Sequence, residues 1–236
     1  MVALILAVTQ ALPVTQTFKV DGVERKALVY YGSGAAPAAG RSLVFGFHGH
    51  GGNMMNSARS WRVQELWPEA TVIYPQGLPT KGMTDPDGKK NGWQQKVGDS
   101  DDRDLKFVDA ILAWAPKIDK KRVFTMGHSN GARFSYVLWK ARGDKFAGYG
   151  VSGSPSVLPI RDLKAAPFFA TAGLSDPIIP YRGQQMSIDF ISKQEGAKLE
   201  SNPDHVVWAT GNNGIKVGTY IFNGGHEFPK EPSRQL

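Results

Sequence analysis

The sequence has no cysteine among its 236 residues. A disulfide framework, a thiolate metal site and a cysteine nucleophile are therefore excluded. It also lacks an apolar run long enough to cross a bilayer and any internal repeat, so no membrane span or repeat array is predicted. The net charge of +7 is not concentrated in a basic cluster, which argues against nucleic-acid binding and favours anionic surfaces such as acidic polysaccharide.

The chain is long enough, at 41% hydrophobic residues, to bury the core of one domain. We place this domain at residues 17–236. An apolar run over residues 2–8 precedes small and polar residues, which predicts that residues 1–16 are a signal peptide or an N-terminal extension. A signal peptide would make the protein secreted, to the outside of the cell or to the periplasm. No feature of the sequence indicates an oligomeric state.

Ser129 lies in a G-x-S-x-G motif between a β-branched run at residues 123–126 and a helix-forming run at residues 132–140. In a strand–turn–helix elbow the central serine is held in an unfavourable backbone conformation, and its hydroxyl projects above the sheet. Gly127 and Gly131 relieve crowding there because they have no Cβ. The context favours a nucleophile, and the alternative is a glycine-rich turn with a capping serine.

The order of predicted elements is typical of an α/β fold. Strands are predicted over residues 17–20, 25–31, 42–47, 71–74, 122–126, 146–151, 168–172, 206–210 and 216–222. Helices are predicted after Asn53 or Ser57 as far as Pro68, from Asp104 to Pro116, over residues 132–140 and over residues 181–194. This alternation predicts a mostly parallel sheet with helices on both faces, whose functional residues follow the carboxyl ends of the strands.

A serine nucleophile needs a base that follows a strand of this sheet. The chain has five histidines, His48, His50, His128, His205 and His226. In the order of the α/β-hydrolase triad the base comes last, which leaves the final two. We predict His226 because it directly follows a predicted strand, whereas His205 lies in a polar stretch before one. The alternative for His226 is a loop residue on the surface.

The base in turn needs a carboxylate that orients it. The aspartates between the serine and the last histidine are Asp144, Asp162, Asp176, Asp189 and Asp204. Only Asp176 comes just after a predicted strand, so we predict that it is the acid. Its alternative is a helix cap or a turn residue, which an aspartate before a proline often is.

The negative charge that develops on the attacked carbonyl oxygen needs preorganised donors. We predict the backbone N–H of Asn130 and that of His50, with Gly51 as the alternative to His50. His48 and His50 could instead bind a metal, but the flanking glycines would hold such a pair poorly. The glycine-rich stretches lack the lysine and serine of a phosphate loop, so no cofactor is predicted.

Together these motifs resemble a family of secreted α/β-hydrolase esterases that includes feruloyl esterases, acetyl xylan esterases and polyhydroxybutyrate depolymerases. The matching stretches are residues 48–52 (HGHGG), 74–77 (YPQG), 104–107 (DLKF), 127–131 (GHSNG), 175–181 (SDPIIPY) and 225–229 (GHEFP). The resemblance implies the α/β-hydrolase fold and the same triad of Ser129, Asp176 and His226. The chain differs from the family in having no cysteine and in having Phe228 where tryptophan is usual.

The sequence restricts the identity of the substrate less than it restricts the type of reaction. Residues 152–166 are too few for a large lid, which predicts an open cleft and a bulky or polymeric ester. Trp93, in the long loop over residues 75–102, could stack on a sugar or an aromatic acyl group, or simply pack that loop. We predict an esterase for feruloyl or acetyl esters of the plant cell wall. A polyester depolymerase, a peptidase and a non-catalytic carbohydrate-binding protein are the alternatives.

Overall fold

A computed structural model describes residues 12–82 and 85–229 of the chain. A nine-stranded sheet forms its centre. Nine of the eleven strands in the described residues form this sheet, and the other two form a separate pair. The strands are β1 (Val14–Val20), β2 (Val23–Tyr30), β3 (Arg41–Phe47), β4 (Thr71–Pro75), β5 (Leu78–Pro79), β6 (Asn91–Gly92), β7 (Ile118–His128), β8 (Gly148–Ser152), β9 (Phe168–Gly173), β10 (Val206–Thr210) and β11 (Lys216–Phe222). The α-helices are α1 (Met54–Trp61), α2 (Val63–Leu66), α3 (Arg103–Trp114), α4 (Asn130–Arg142) and α5 (Tyr181–Glu195).

The strands lie in the order β1-β2-β4-β3-β7-β8-β9-β11-β10, and β5 pairs only with β6. Six adjacent strands, in the order β4-β3-β7-β8-β9-β11, are parallel. The antiparallel pairs are β1 with β2, β2 with β4, and β10 with β11. This arrangement confirms the predicted mostly parallel sheet.

Helices cover both faces of the sheet. Leu43 and Phe45 of β3 belong to the larger hydrophobic core, which includes residues of α3, α4 and α5. Val44, between them, belongs to a smaller core that includes Trp61 of α1 and Tyr74 of β4. Because successive side chains of a strand point to opposite faces, the two cores lie on opposite sides of the sheet.

Two strands begin three or four residues earlier than predicted. The sheet begins at Val14, which pairs with Val29, three residues before the predicted start of the domain at residue 17. β7 begins at Ile118, four residues before the predicted start, because the polar residues at its beginning did not resemble a buried strand. Of the predicted signal peptide or N-terminal extension, residues 1–16, the last three belong to β1. Residues 1–11 lie outside the described residues, and a signal peptide there stays a prediction.

The long loop after β4 is anchored to the sheet by a buried ion pair. The guanidinium of Arg25, on β2, donates to Asp104 Oδ1 at 2.8 Å. The other oxygen of Asp104 accepts the backbone N–H of Gln94 at 2.8 Å, so one carboxylate joins β2, the loop and the first turn of α3. The loop therefore has a defined path across the carboxyl edge of the sheet.

The connection between β8 and β9, residues 153–167, contains no helix or strand. This agrees with the expectation that no large lid is inserted there. None of the helices in residues 12–82 and 85–229 is long and apolar enough to cross a membrane.

Candidate active site

Ser129 occupies the sharp turn between β7 and α4. Its backbone angles are φ 55° and ψ −117°, a conformation that costs free energy for a residue with a side chain. A β-carbon on Gly127 would overlap the carbonyl oxygen of Gly131, and one on Gly131 would overlap that of Phe47. The elbow therefore has the strained serine and the close backbone approach that the motif predicted.

Three side chains from separate segments meet at this turn in a continuous hydrogen-bonded chain. The Nε2 atom of His226 lies 2.8 Å from the Oγ atom of Ser129. The Nδ1 atom of the same ring lies 2.7 Å from Oδ2 of Asp176. His226 follows β11 and Asp176 follows β9, so the parallel register brings all three residues to one edge of the sheet.

Asp176 is buried, and its carboxylate is surrounded by donors. Oδ1 accepts the backbone N–H groups of Ile178 at 2.9 Å and Ile179 at 2.8 Å, and Oδ2 also accepts from Nε2 of Gln184 at 3.1 Å. Burial alone raises the pKa of Asp176, but these backbone bonds and the bond with His226 outweigh it and lower the pKa overall. The carboxylate is therefore ionised at neutral pH and can orient the imidazole.

The other histidines have different surroundings. His205 is exposed before β10, and its backbone N–H donates to Asn202. His48 is buried, which lowers its pKa to about 4, and its Nε2 accepts the N–H of Gly77 at 3.0 Å. The Nε2 atom of His50 lies 3.4 Å from Oδ2 of Asp85. Among the residues that the structure describes, no group of three or more His, Cys, Asp or Glu side chains could hold a metal ion.

His128, next to the serine, packs against the candidate base, a contact that the sequence did not predict. Its ring centroid lies 4.9 Å from that of His226, and its Nδ1 lies 3.0 Å from Oγ of Ser152. Burial, followed by the nearby His226, lowers the pKa of His128 to about 4. His128 is therefore neutral beside the imidazolium that His226 would become.

The glycine loop at residues 48–52 lies beside the elbow. A β-carbon added to Gly49 would lie 3.5 Å from Cβ of Ser129. Asn130 is the first residue of α4, and the first amides of a helix have no partner within it. The N–H of Gly51, the alternative donor, bonds to the carbonyl of Asn91 at 2.7 Å, so it is already occupied. The arrangement leaves His50 as the better candidate of the two.

Trp93 does not have the predicted position for stacking on a substrate. Its side chain is 0% exposed and stacks on Phe134, with ring centroids 5.4 Å apart. Its indole N–H donates to the carbonyl of His48 at 2.9 Å. The prediction of substrate contact was wrong because a single tryptophan in a glycine-rich loop gives no sequence signal for burial.

A groove of about 830 Å³ borders the site. The glycine loop and α1 form much of its wall, and His128 and Phe228 line it near the triad. Phe228 stacks on Trp61 of α1 at a centroid distance of 4.9 Å. The groove thus offers room for a substrate that extends beyond the ester group.

Solved structures with the same architecture include esterases and an acylaminoacyl peptidase. A thermostable esterase superposes on 89% of this chain and 54% of its own with a TM-score of 0.64 at 17% identity. A Bacillus cereus carboxylesterase superposes on 89% of this chain and 91% of its own with a TM-score of 0.60 at 16% identity. The chain has the α/β-hydrolase fold. The predicted fold class is thereby confirmed.

Curated sequences similar to this chain include feruloyl esterases from fungi. A probable feruloyl esterase C from Aspergillus clavatus is 30% identical over 151 residues, which are 60% of this chain and 50% of that protein. Feruloyl esterase C from Emericella nidulans is 28% identical over 160 residues, 64% of this chain and 54% of that protein. The chain thus spans about half the length of these two relatives. No family model matches it. These relatives support the resemblance seen in the motifs.

Proposed function

We propose that the chain is a serine carboxylic-ester hydrolase that acts through an acyl-enzyme. The observation that carries the proposal is the hydrogen-bonded chain from Ser129 through His226 to the ionised Asp176. A serine hydroxyl is a weak nucleophile until a base accepts its proton, and this arrangement supplies a base with a fixed orientation.

In the proposed mechanism, Oγ of Ser129 attacks the ester carbonyl carbon while Nε2 of His226 takes its proton. The backbone N–H groups of His50 and Asn130 donate to the oxyanion of the tetrahedral intermediate. The imidazolium then returns the proton to the leaving alcohol, and the acyl group stays on the serine. Water, deprotonated by His226, then attacks the acyl-enzyme. When the second intermediate collapses, the bond to Oγ of Ser129 breaks, the imidazolium returns the proton to Oγ, and the acid is released. Asp176 accepts a hydrogen bond from Nδ1–H throughout.

The substrate part of the proposal is a feruloyl ester of the plant cell wall, with an acetyl ester as the nearest alternative. Two sequence relatives carry the name feruloyl esterase C. The open groove and the lidless connection after β8 also favour a bulky ester over a small enclosed one. Such a substrate lies outside the cell, which accords with the predicted secretion.

The first test replaces the nucleophile. We expect Ser129→Ala to reduce the hydrolysis of a short p-nitrophenyl ester by about 10⁴-fold or more, because no base can activate an alanine. Ser201→Ala, at an exposed serine, is the matched control and should retain the wild-type rate. Circular dichroism should show that both variants are folded. Substantial turnover by Ser129→Ala would contradict the triad.

The substrate class is tested on the same protein with methyl ferulate, acetylated xylan and polyhydroxybutyrate. We expect the highest kcat/KM on methyl ferulate. A preference for either of the others would replace the substrate but leave the mechanism intact. Absence of hydrolysis, with binding to xylan retained, would instead favour the non-catalytic carbohydrate-binding alternative.

A further inference from the structure

The two proposed oxyanion donors lie on separate segments of the chain. His50 belongs to the glycine loop after β3, and Asn130 begins α4. An oxyanion hole works only if its donors are held at the right separation before the charge develops. The side chains that hold the two segments together therefore bear on catalysis even though they do not face the substrate.

Asn130 contributes more than its backbone N–H. Its side chain is buried, and its amide makes two hydrogen bonds with the backbone of one residue. Oδ1 accepts the N–H of Trp93 at 2.7 Å, and Nδ2 donates to the carbonyl of Trp93 at 3.0 Å. This two-point contact fixes the position of Trp93 relative to the start of α4.

Trp93 completes the connection to the glycine loop. Its indole N–H donates to the carbonyl of His48, two residues before the proposed donor. The ring lies edge-on to Phe47 at a centroid distance of 5.1 Å and stacks on Phe134. Because the ring is enclosed on both sides, the indole N–H has a fixed direction.

Further contacts hold the glycine loop from the same side. The N–H of Gly51 bonds to Asn91, and Nε2 of His48 accepts the N–H of Gly77. A β-carbon on Gly92 would lie 2.7 Å from Nδ1 of His50 and 2.9 Å from Oδ1 of Asn130, so β6 fits closely between the two segments. The loop that carries Trp93 is therefore packed against both halves of the candidate oxyanion hole.

We propose that the side chains of Asn130 and Trp93 are positioning residues that set the separation of the two oxyanion donors. The connection runs from the amide of Asn130 through the backbone and indole of Trp93 to the carbonyl of His48. This inference rests on the proposed esterase function, because it concerns the oxyanion of that reaction.

The chain offers a matched control for the test. Trp139 is also buried, also stacks on an aromatic ring, and its indole N–H also donates to a backbone carbonyl, that of Lys164 at 2.7 Å. It lies on α4 more than two turns beyond Asn130. Trp93→Phe and Trp139→Phe therefore remove the same atoms from similar surroundings, but only the first removes the contact with the glycine loop.

Both variants are measured for kcat and KM on a p-nitrophenyl ester and for inhibition by phenylboronic acid, whose serine adduct resembles the tetrahedral intermediate. Loss of a whole oxyanion donor costs on the order of 100- to 1,000-fold in rate, so a displaced donor should cost less. We expect Trp93→Phe to lower kcat about 10- to 100-fold with KM nearly unchanged and to weaken phenylboronic acid about tenfold. Trp139→Phe should keep kcat within about twofold and bind the inhibitor normally. Equal effects of the two variants on kcat and inhibition would overturn the proposal.

Asn130→Ala provides a second route if Trp93→Phe does not fold. It retains the backbone N–H and removes both side-chain bonds, and we expect a similar loss of kcat. The double variant should lose little more than either single one, because both act on one connection. An unchanged kcat in Asn130→Ala, or fully additive losses, would contradict the inference. If the wild-type protein hydrolyses no ester, the proposed function itself fails, which is a separate outcome.

Discussion

At the scale of single residues, Asp176 illustrates how a buried carboxylate stays ionised. Its two oxygens accept four hydrogen bonds, from two backbone amides, from Gln184 and from His226. Accepting several hydrogen bonds favours the charged form over the neutral acid. The same bonds fix the oxygen that faces His226, so orientation and ionisation have one cause.

Asp176→Asn keeps the shape of the side chain but changes the hydrogen bond that orients the His226 ring. An amide in this position can present N–H to the ring, which favours the tautomer that cannot accept the proton of Ser129. We expect kcat to fall by about 10³- to 10⁴-fold in a steady-state ester assay. Asp204→Asn is the matched control, since the carboxylate of Asp204 is also hydrogen-bonded. It accepts two bonds from Asn223 rather than one from His226, and it is exposed. Similar losses in both variants would count against Asp176 as the acid.

At the scale of secondary-structure elements, the long loop between β4 and α3 matters most. It passes over the carboxyl edge and contacts both the glycine loop and the elbow. Its anchor is the buried pair of Arg25 and Asp104, and the guanidinium of Arg25 also lies 4.2 Å from the ring centroid of Phe107. The stability of this loop therefore depends on elements outside the site.

Asp104→Asn should destabilise the protein strongly. The change leaves the buried charge of Arg25 without a counter-ion, and losing one partner of a buried pair typically costs about 3–5 kcal/mol. Urea denaturation would measure the free energy of unfolding. Asp21→Asn is the control because Asp21 pairs with Lys106 on the surface and asparagine suits the same turn. Its urea midpoint should match that of the wild type; equal shifts in both variants would mean that burial of the pair is not the cause.

At the scale of the whole molecule, two enclosed histidines couple folding to pH. His48 accepts the N–H of Gly77 at Nε2, so its neutral form belongs to the native state. Burial lowers the pKa of both His48 and His128 to about 4, against about 6.5 in an unfolded chain. Below pH 6.5 the unfolded chain takes up these protons and the native protein does not.

Acid therefore destabilises the native state through these two histidines. The contribution of the two histidines to stability is fully present above about pH 6.5 and is lost progressively as the pH falls towards 4. We expect the free energy of unfolding to decrease by several kcal/mol, and at most by about 6 kcal/mol, over this window. Urea denaturation at several pH values would measure it. The free energy of unfolding should fall less steeply with decreasing pH in His128→Gln, and as steeply as in the wild type in the control His205→Gln. A wild-type pH dependence in His128→Gln would contradict this account.

The sequence by itself determined the order of the elements and the candidate triad. Alternating strands and helices predict a parallel sheet, and parallel strands bring their carboxyl ends to one edge. Ser129, Asp176 and His226 each follow such a strand, so their meeting could be inferred from local patterns alone. The strained turn at the serine was also readable, because its two glycines stand at fixed offsets.

Only the tertiary structure decided which side chains hold that site together. Trp93 and the amide of Asn130 are 37 residues apart, and their hydrogen bonds follow no local period. The pair of Arg25 and Asp104 spans 79 residues for the same reason. Burial and pairing of this kind depend on how a long loop crosses the sheet, and propensity and hydrophobic pattern, which act over a few residues, do not encode that path.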